Sequence, residues 1–521
     1  NTKGQLTQAT DEEGRVVAYT YYTTGNSSDL LQKEEVDPTG LDLETAYTYD
    51  TCGNTATITD PNGHSRTMTW DNLGRLKQDD APSALGYSAK YAYDGNGNTV
   101  TIDIENIDKD GNVVAANPWI TTTCTFTTTD DLATLVEEID ASTTRTTAFD
   151  YDANQNRIRV TKPEGNRDKW EFNERDWVIK FIRGEGATEA SEEEYLYDEN
   201  GNRITVIDGR DNETDTDYDM FDRRVKETNA VGHYTEWELD KNGNITKVTR
   251  RNSSNTELQR ESHYFDERNR HWKTSALFKD PSGTYSDAVT IIERLKTGQV
   301  KVVTNPRGKD TTYGYDTALR RTTVTDALGN QVSYTLDDNG NPTAWSIKEY
   351  DGATPITHNY EATYDEINRR KTYIEIDRNN SSNRWTTQTF YDSRSNMVFH
   401  IDAEGNPTRL TFDGLNRMTK KETALTLGAT INDFTTAQVT QWGFDKNDRL
   451  VSHKDDAPNE STWTYDALDR PTAMTYPDTS SVAYEYDPND NVTKTTDPAG
   501  NVIDDTFDVL KRNRSRSITL A

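Results

Sequence analysis

Cysteine occurs only twice in 521 residues, at Cys52 and Cys124, too few for a disulfide framework or a zinc site built from thiolates alone. One bridge between them and a pair of free thiols fit the sequence equally. No run approaches the ~18 apolar residues of a membrane-crossing helix, so no membrane span is expected. Positive charge is scarce as well. The 58 Lys plus Arg face 89 Asp plus Glu, a net charge of −31, which argues against nucleic acid or anionic lipid as a partner. Hydrophobic residues make up 32%, and low apolar content with high net charge is the composition of disorder. The aromatics contradict that reading: 27 Tyr, 13 Phe and 10 Trp amount to 10% of the chain. The chain is therefore expected to fold, on thin layers and not around one deep core. No charged-then-apolar leader follows Asn1, so no targeting segment is expected in this sequence.

What is present is a repeat. An aromatic followed by Asp recurs throughout, for example at Tyr49-Asp50, Tyr93-Asp94, Tyr197-Asp198, Tyr315-Asp316, Tyr465-Asp466, Tyr486-Asp487 and Phe507-Asp508. In the clean stretches the spacing is 21, as from 49 to 70, 197 to 218, and 444 to 465 to 486 to 507. Two versions alternate. One continues as Asp-x-x-Gly-Asn, as in Asp50, Gly53, Asn54 and in Asp198, Gly201, Asn202; the other as Asp-x-x-x-Arg, as in Asp466 and Arg470. Together they make a superperiod of about 42 residues.

Each repeat reads as two turns and two strands. Asp first and Gly fourth at 50–53 is the preference of a type I turn, and Asp60-Pro61-Asn62-Gly63, half a repeat later, adds Pro at the second position. Between turns lie short segments of Thr, Val, Ile and aromatics with period-two alternation, such as Thr55–Thr59 and 66–70. Two strands per repeat predicts about fifty strands in an all-β antiparallel meander. Only 131–139 could make one or two helical turns. An open twisted sheet rarely exceeds ~10 strands without curling or splitting, so the meander is expected to wind into a spiral or hollow shell. The alternative, a 42-residue propeller blade, would need two propellers, with a border between them that the repeat does not show.

Alternating aromatic-Asp-x-x-Gly-Asn and aromatic-Asp-x-x-x-Arg units with Asp-Pro-x-Gly turns between them resemble the YD-repeat (RHS-repeat) family. That family includes bacterial Rhs polymorphic toxins, the C component of insecticidal toxin complexes, wall-associated proteins and teneurins. The resemblance runs from about Gly4 to Arg512. It implies a spiralling β-sheet that walls a shell, often around a toxic C-terminal domain. The family's shells end in a core segment with an autoproteolytic site carrying paired aspartates. Here the nearest blocks, Asp497-Pro498-Ala499-Gly500 and Asp60-Pro61-Asn62-Gly63, are ordinary repeat turns. The chain is thus expected to be one continuous array over 1–521, without that core or a toxin domain.

No residue pattern points to catalysis. The seven histidines show no metal or catalytic spacing: His64 and His233 follow turn glycines, and His263 with His271 lacks the i, i+4 helical pairing of zincins. No Gly-x-Ser-x-Gly elbow, Walker loop or Rossmann fingerprint occurs. The acidic turns at 108–112 and 337–341 invite calcium. From Asp108, however, the glycine falls at position four and Trp119 stands where an EF-hand needs its bidentate Glu. Asp capping its own turn is the simpler reading, with weak surface calcium binding as the residue of that idea and no other cofactor. The repeated residues are expected to be structural: Tyr49, Asp50, Gly53, Asn54, Asp60, Pro61, Gly63, Tyr197, Asp198, Gly201, Asn202, Tyr465, Asp466, Arg470, Tyr486, Asp487, Phe507 and Asp508. The function expected is non-enzymatic: the wall of a secreted or cell-surface bacterial shell around a toxin or other protein cargo. The rival is an adhesin or filament in which chains self-associate end to end through sheet edges. A third reading, a surface that binds cell-surface glycans, rests on the aromatics alone.

Overall fold

The computed structural model describes residues 2–279, 285–350, 354–424, 434, 436–457 and 459–521. It is all-β, with 43 strands in one sheet and no helix among the described residues. Each strand pairs antiparallel with the one that follows it, as in Thr57↔Thr67 and then Thr67↔Asp80. This is the meander that the turn spacing predicts. Among the described residues the strands form this one sheet and not separate four-stranded propeller blades.

Among the described residues the strands number 43 and not about fifty, and several of them outgrow the short module. Leu132–Asp140 and Thr143–Tyr151 hold nine residues each, and Pro355–Tyr364 holds ten. The helical expectation for 131–139 is also corrected. This segment is the strand Leu132–Asp140, paired through Leu135↔Thr147 and Val136↔Thr146. A nine-residue helix is marginal in water, whereas hydrogen-bonding neighbours on both sides satisfy this backbone as a strand. Much of the longer interval between Phe412 and Phe444 lies outside the described residues.

The hairpins have a common construction. At 50–54 the Gly53 N–H donates to the Asp50 carbonyl (3.2 Å), and the Asp50 N–H donates to the Asn54 carbonyl (2.8 Å). Gly53 has φ +89°, so a type I turn is followed by one left-handed residue, and the pairing register slips between Thr48 and Tyr49. This three-residue loop with its bulge lets the hairpin keep the right-handed twist of its strands.

Because turns alternate ends, the sheet has two edges of different chemistry. Tyr-Asp turns line one edge and Asp-Pro-x-Gly turns line the other. By contacts the chain divides into two compact units. One comprises Asn1–Thr122, Val289–Asn416 and Glu422–Ala437; the other comprises Thr123–Ala288, Arg417–Lys421 and Gln438–Ala521. Each unit thus brings together two rows of strands far apart in sequence.

Candidate functional site

The Tyr-Asp turn is a closed hydrogen-bond device. Asp50 Oδ1 accepts the backbone N–H groups of Cys52 (2.8 Å) and Asn54 (2.9 Å), while Oδ2 accepts the Asn54 side-chain amide (2.9 Å). Asp198 repeats this with Asn200 and Asn202, and Asp487 with Asn489 and Asn491. In the Arg version, Oδ2 accepts the guanidinium instead: Arg470 Nε to Asp466 and Arg512 Nε to Asp508, both 2.7 Å. A carboxylate that accepts several donors favours its charged form. The Asn54 amide holds Asp50 below the usual carboxylate range, the Asn202 amide does the same for Asp198, and the Arg512 backbone N–H leads for Asp508.

The aromatic before each Asp ties its hairpin to the previous one. Tyr49 Oη donates to the Leu31 carbonyl (2.8 Å), Tyr197 to Val178 (2.6 Å), Tyr465 to Leu450 and Tyr486 to Pro471 (both 2.7 Å). Burial pushes all four phenols above their ordinary pKa. Phe507 has no hydroxyl to make this bond.

The alternation of Gly-Asn and Arg turns has a donor–acceptor logic. Asn200 and Asn202 both donate to Asp222 Oδ1 in the next Tyr-Asp turn (2.9 and 2.7 Å). Asn339 and Asn341 reach Asn368 in the same way, and Asn396 reaches Asn416. Asp222, Asn368 and Asn416 occupy the left-handed position, with φ of 58°, 67° and 63°. Asp and Asn tolerate that conformation and keep an acceptor that glycine would lack. The Arg turn then reaches forward in its turn. Arg75, Arg223, Arg320 and Arg470 donate to the carbonyls of Asp94, Asp240, Asp337 and Asp487. Arg75 and Arg470 also stack over the next ring, Tyr93 and Tyr486, both at 4.6 Å, each contact contributing about 0.5–1 kcal/mol.

Within each unit the Asp-Pro-x-Gly edge of the earlier row meets the Tyr-Asp edge of the later row. In the first unit Asn62 Oδ1 accepts the Asp338 N–H (3.1 Å), its amide donates to Asp337 (3.0 Å), and Asn339 donates to Asp60 (2.7 Å). Pro61 and Gly63, the latter with φ +85°, shape the turn that presents Asn62. In the second unit Glu164 takes Asn62's place: it accepts the Lys446 N–H, and Asn447 accepts the Glu164 N–H, both at 2.9 Å. Asn489 donates to Asp208 (2.8 Å), and Arg210 binds the carbonyls of Phe507 and Asp508 (both 3.1 Å). Lys162 adds an ion pair to Asp469 (2.9 Å). Leu468 and Ala318 are buried in these seams.

The seam residues Asn62, Glu164, Asn339, Asn447, Asn489 and Leu468 carry no signal in the sequence beyond Asn recurring at the third turn position. Of the histidines, His64 donates its backbone N–H to Asp60 at a turn, and His263 and His271 touch edge to face at 5.6 Å. Asp108 accepts the N–H groups of Asp110 and Asn112. Cys52 and Cys124 are free thiols. No helix is long and apolar enough to cross a membrane among the described residues.

A meander of self-capping Tyr-Asp hairpins, clasped row on row, defines a class of all-β repeat proteins. The family model described as RHS Repeat matches residues 296–330, 444–481 and 465–502, so these stretches of the chain carry RHS repeats. No curated protein sequence matches it. The fold is similar to the crystal structure of TcdB2-TccC3-TEV, with a TM-score of 0.62 at 12% identity over 98% of this chain and 34% of that one. It is also similar to TcdB2-TccC3 without its hypervariable C-terminal region, with a TM-score of 0.53 at 11% identity over the same shares. The chain therefore spans about a third of the length of the structures it matches.

Proposed function

We propose that this chain is a non-enzymatic segment of a bacterial β-shell, a single structural array that walls off a protein cargo outside the cell or at its surface. The observation that carries the reading is the row-on-row seam, which joins distant stretches of one sheet into continuous wall. The fold likeness to TcdB2-TccC3 supports it. The Tyr, Asp, Asn and Arg of the repeats serve as wall fasteners, since their polar atoms are spent on backbone and on each other. A net charge of −31 suits a cationic cargo. The rings that would carry a glycan-binding face stack on one another, Trp345 on Tyr360 at 5.4 Å and Tyr360 on Tyr373 at 5.9 Å, and so do not favour that reading.

Electron microscopy of the purified chain, with small-angle scattering alongside, tests the proposal. A lumen in cross-section, whether in single particles or in stacks, is the expected result. A flat ribbon or a solid particle would overturn the wall reading and leave the adhesive filament in its place.

A further inference from the structure

The seams of the two units are fastened by different chemistry. In the later row of the second unit, left-handed turn positions fall at Asp448, Asp469 and Asp490, with φ of 68°, 63° and 67°. Each of these carboxylates lies between two cations. One comes from the preceding turn of its own row: Arg417 for Asp448 (3.0 Å), Arg449 for Asp469 (2.9 Å) and Arg470 for Asp490 (3.2 Å). The other crosses the seam from the earlier row: Arg145 for Asp448 (2.5 Å), Lys162 for Asp469 (2.9 Å) and Arg183 for Asp490. One repeat further on, the left-handed residue is Lys511, and the ladder of carboxylates ends. There Arg210 of the earlier row reaches the carbonyls of Phe507 and Asp508 and, at 3.5 Å, the Asp487 carboxylate.

In the first unit the later row has Leu319, Asn368 and Ser395 at left-handed positions, with φ of 61°, 67° and 68°. Its seam is closed by single ions on dipoles. The Lys296 N–H donates to Glu13 (2.6 Å), Arg15 donates to the Ala318 carbonyl (3.5 Å), and the Thr317 hydroxyl donates to Asp37. The Asn339 amide donates to Asp60 (2.7 Å), and the Asp338 N–H donates to the Asn62 amide oxygen (3.1 Å). Such bonds act at contact range and respond little to added salt. Attraction between full charges is screened as the Debye length falls from ~10 Å at 0.1 M to ~3 Å at 1 M. Dissolved ions have access to the second seam, since the side chains of Asp448 and Asp490 are 51% and 46% exposed.

We infer that the seam of the second unit is a salt-releasable clasp, which parts as ionic strength rises while the seam of the first unit stays shut. Its working groups are Asp448, Asp469 and Asp490 with Arg145, Lys162 and Arg183. When screening weakens the cross-row pairs, each carboxylate keeps its in-row arginine, so the later row holds its own hairpins together as it separates from the earlier one. Salt also relieves the self-repulsion of a chain at −31, which tightens both units. The difference between the two seams is therefore what reveals the clasp. The inference concerns the seam alone and needs no lumen, so microscopy and the following experiment can fail separately.

Hydrogen exchange of the full chain at ~0.1 M and ~1 M sodium chloride is the test. It is read at amides that donate across the seams: Lys446 and Ala467 in the second unit, Lys296 and Asp338 in the first. The expected result is exchange about tenfold faster at high salt for Lys446 and Ala467, with the other two changed less than about twofold. Replacing all three carboxylates, by Asp448→Asn, Asp469→Asn and Asp490→Asn, keeps a residue that the left-handed turn accepts, as Asn368 shows. This variant is expected to exchange fast at Lys446 and Ala467 at both salt concentrations. Should it melt too low to compare, Lys162→Gln leaves Asp469 paired with Arg449. That single change is expected to speed Ala467 at low salt and to shrink its salt response. Three results overturn the inference: salt that leaves Lys446 and Ala467 unchanged, salt that speeds both seams equally, or neutralised variants that keep the wild-type salt response.

Discussion

Arg470 joins four groups at once: Asp466 in its own turn, the Asp487 carbonyl at 2.9 Å, the Asp490 carboxylate at 3.2 Å and the Tyr486 ring. Its side chain is 10% exposed and that of Asp466 is 9%. Removing one partner of such a buried pair strands the other, at a cost of about 3–5 kcal/mol. Arg470→Ala is therefore expected to lower the midpoint of denaturant unfolding much further than Arg512→Ala, whose guanidinium pairs with Asp508 while 66% exposed. Equal effects of the two would show that burial is not what matters. Arg470→Lys keeps the charge but loses the planar fork, and is expected to recover only part of the loss. The pH dependence has a definite sign. Asp50, Asp198, Asp219 and Asp508 are depressed in the folded state. Their stabilisation is present above the ordinary carboxylate pKa of about 4 and is lost as pH falls below it. The half-buried tyrosines Tyr49, Tyr197, Tyr465 and Tyr486 are raised, so their stabilisation is present below about 10 and is lost as pH rises beyond it. Melting temperature is expected to hold a plateau between those limits and fall on both sides. A maximum confined to acid pH would contradict this account.

At the scale of the hairpin, glycine substitutions separate conformation from contact. Gly63 has φ +85° with open space around it, so Gly63→Ala costs only the left-handed backbone, about 1–2 kcal/mol. Gly184 has φ +71°, and a Cβ there would lie 2.6 Å from Cδ1 of the buried Leu468. Gly184→Ala is expected to destabilise more, because it strains the backbone and forces the seam apart; thermal melts of the two variants decide it. Hairpins are also where the sequence speaks most clearly. The strand Thr55–Thr59 is found with the bounds that its flanking turns imply, since a 21-residue period with Asp and Gly at set places leaves the chain little choice. The 131–139 segment was ambiguous for a physical reason: Leu132, Leu135, Val136 and Ile139 satisfy helical spacing, and only ladder partners on both sides decide for a strand.

The seam belongs to the scale of the whole chain, and there the sequence is nearly silent. Asn62 and Asp338 are partners across 276 residues, and no local period reports that distance. The recurrent Asn at the third turn position serves its own hairpin row in Asn154 and Asn200, yet spans two rows in Asn447 and Asn489. The same residue in the same motif therefore has two fates, decided by which row comes alongside. Hydrogen exchange can read the difference. The amides of Asp338, Lys446 and Ala467 donate across the seam, while the exposed Asn72 and Met220 hold the equivalent place in the earlier rows. The first three are expected to exchange slowly and the last two fast. Uniform exchange across all five would mean that the rows part readily in solution.

The alternation of turn types between edges has a hereditary consequence. Duplicating or deleting one whole repeat, with its two strands, returns every downstream turn to the edge it held before. A change of a single strand would send each later Tyr-Asp turn to the opposite side of the sheet and turn its side chains over, so that like would face like wherever rows meet. The gene for such a protein can lengthen or shorten by pairs of strands and keep its fasteners matched. Parity, more than sequence identity, is what any such change of length has to preserve.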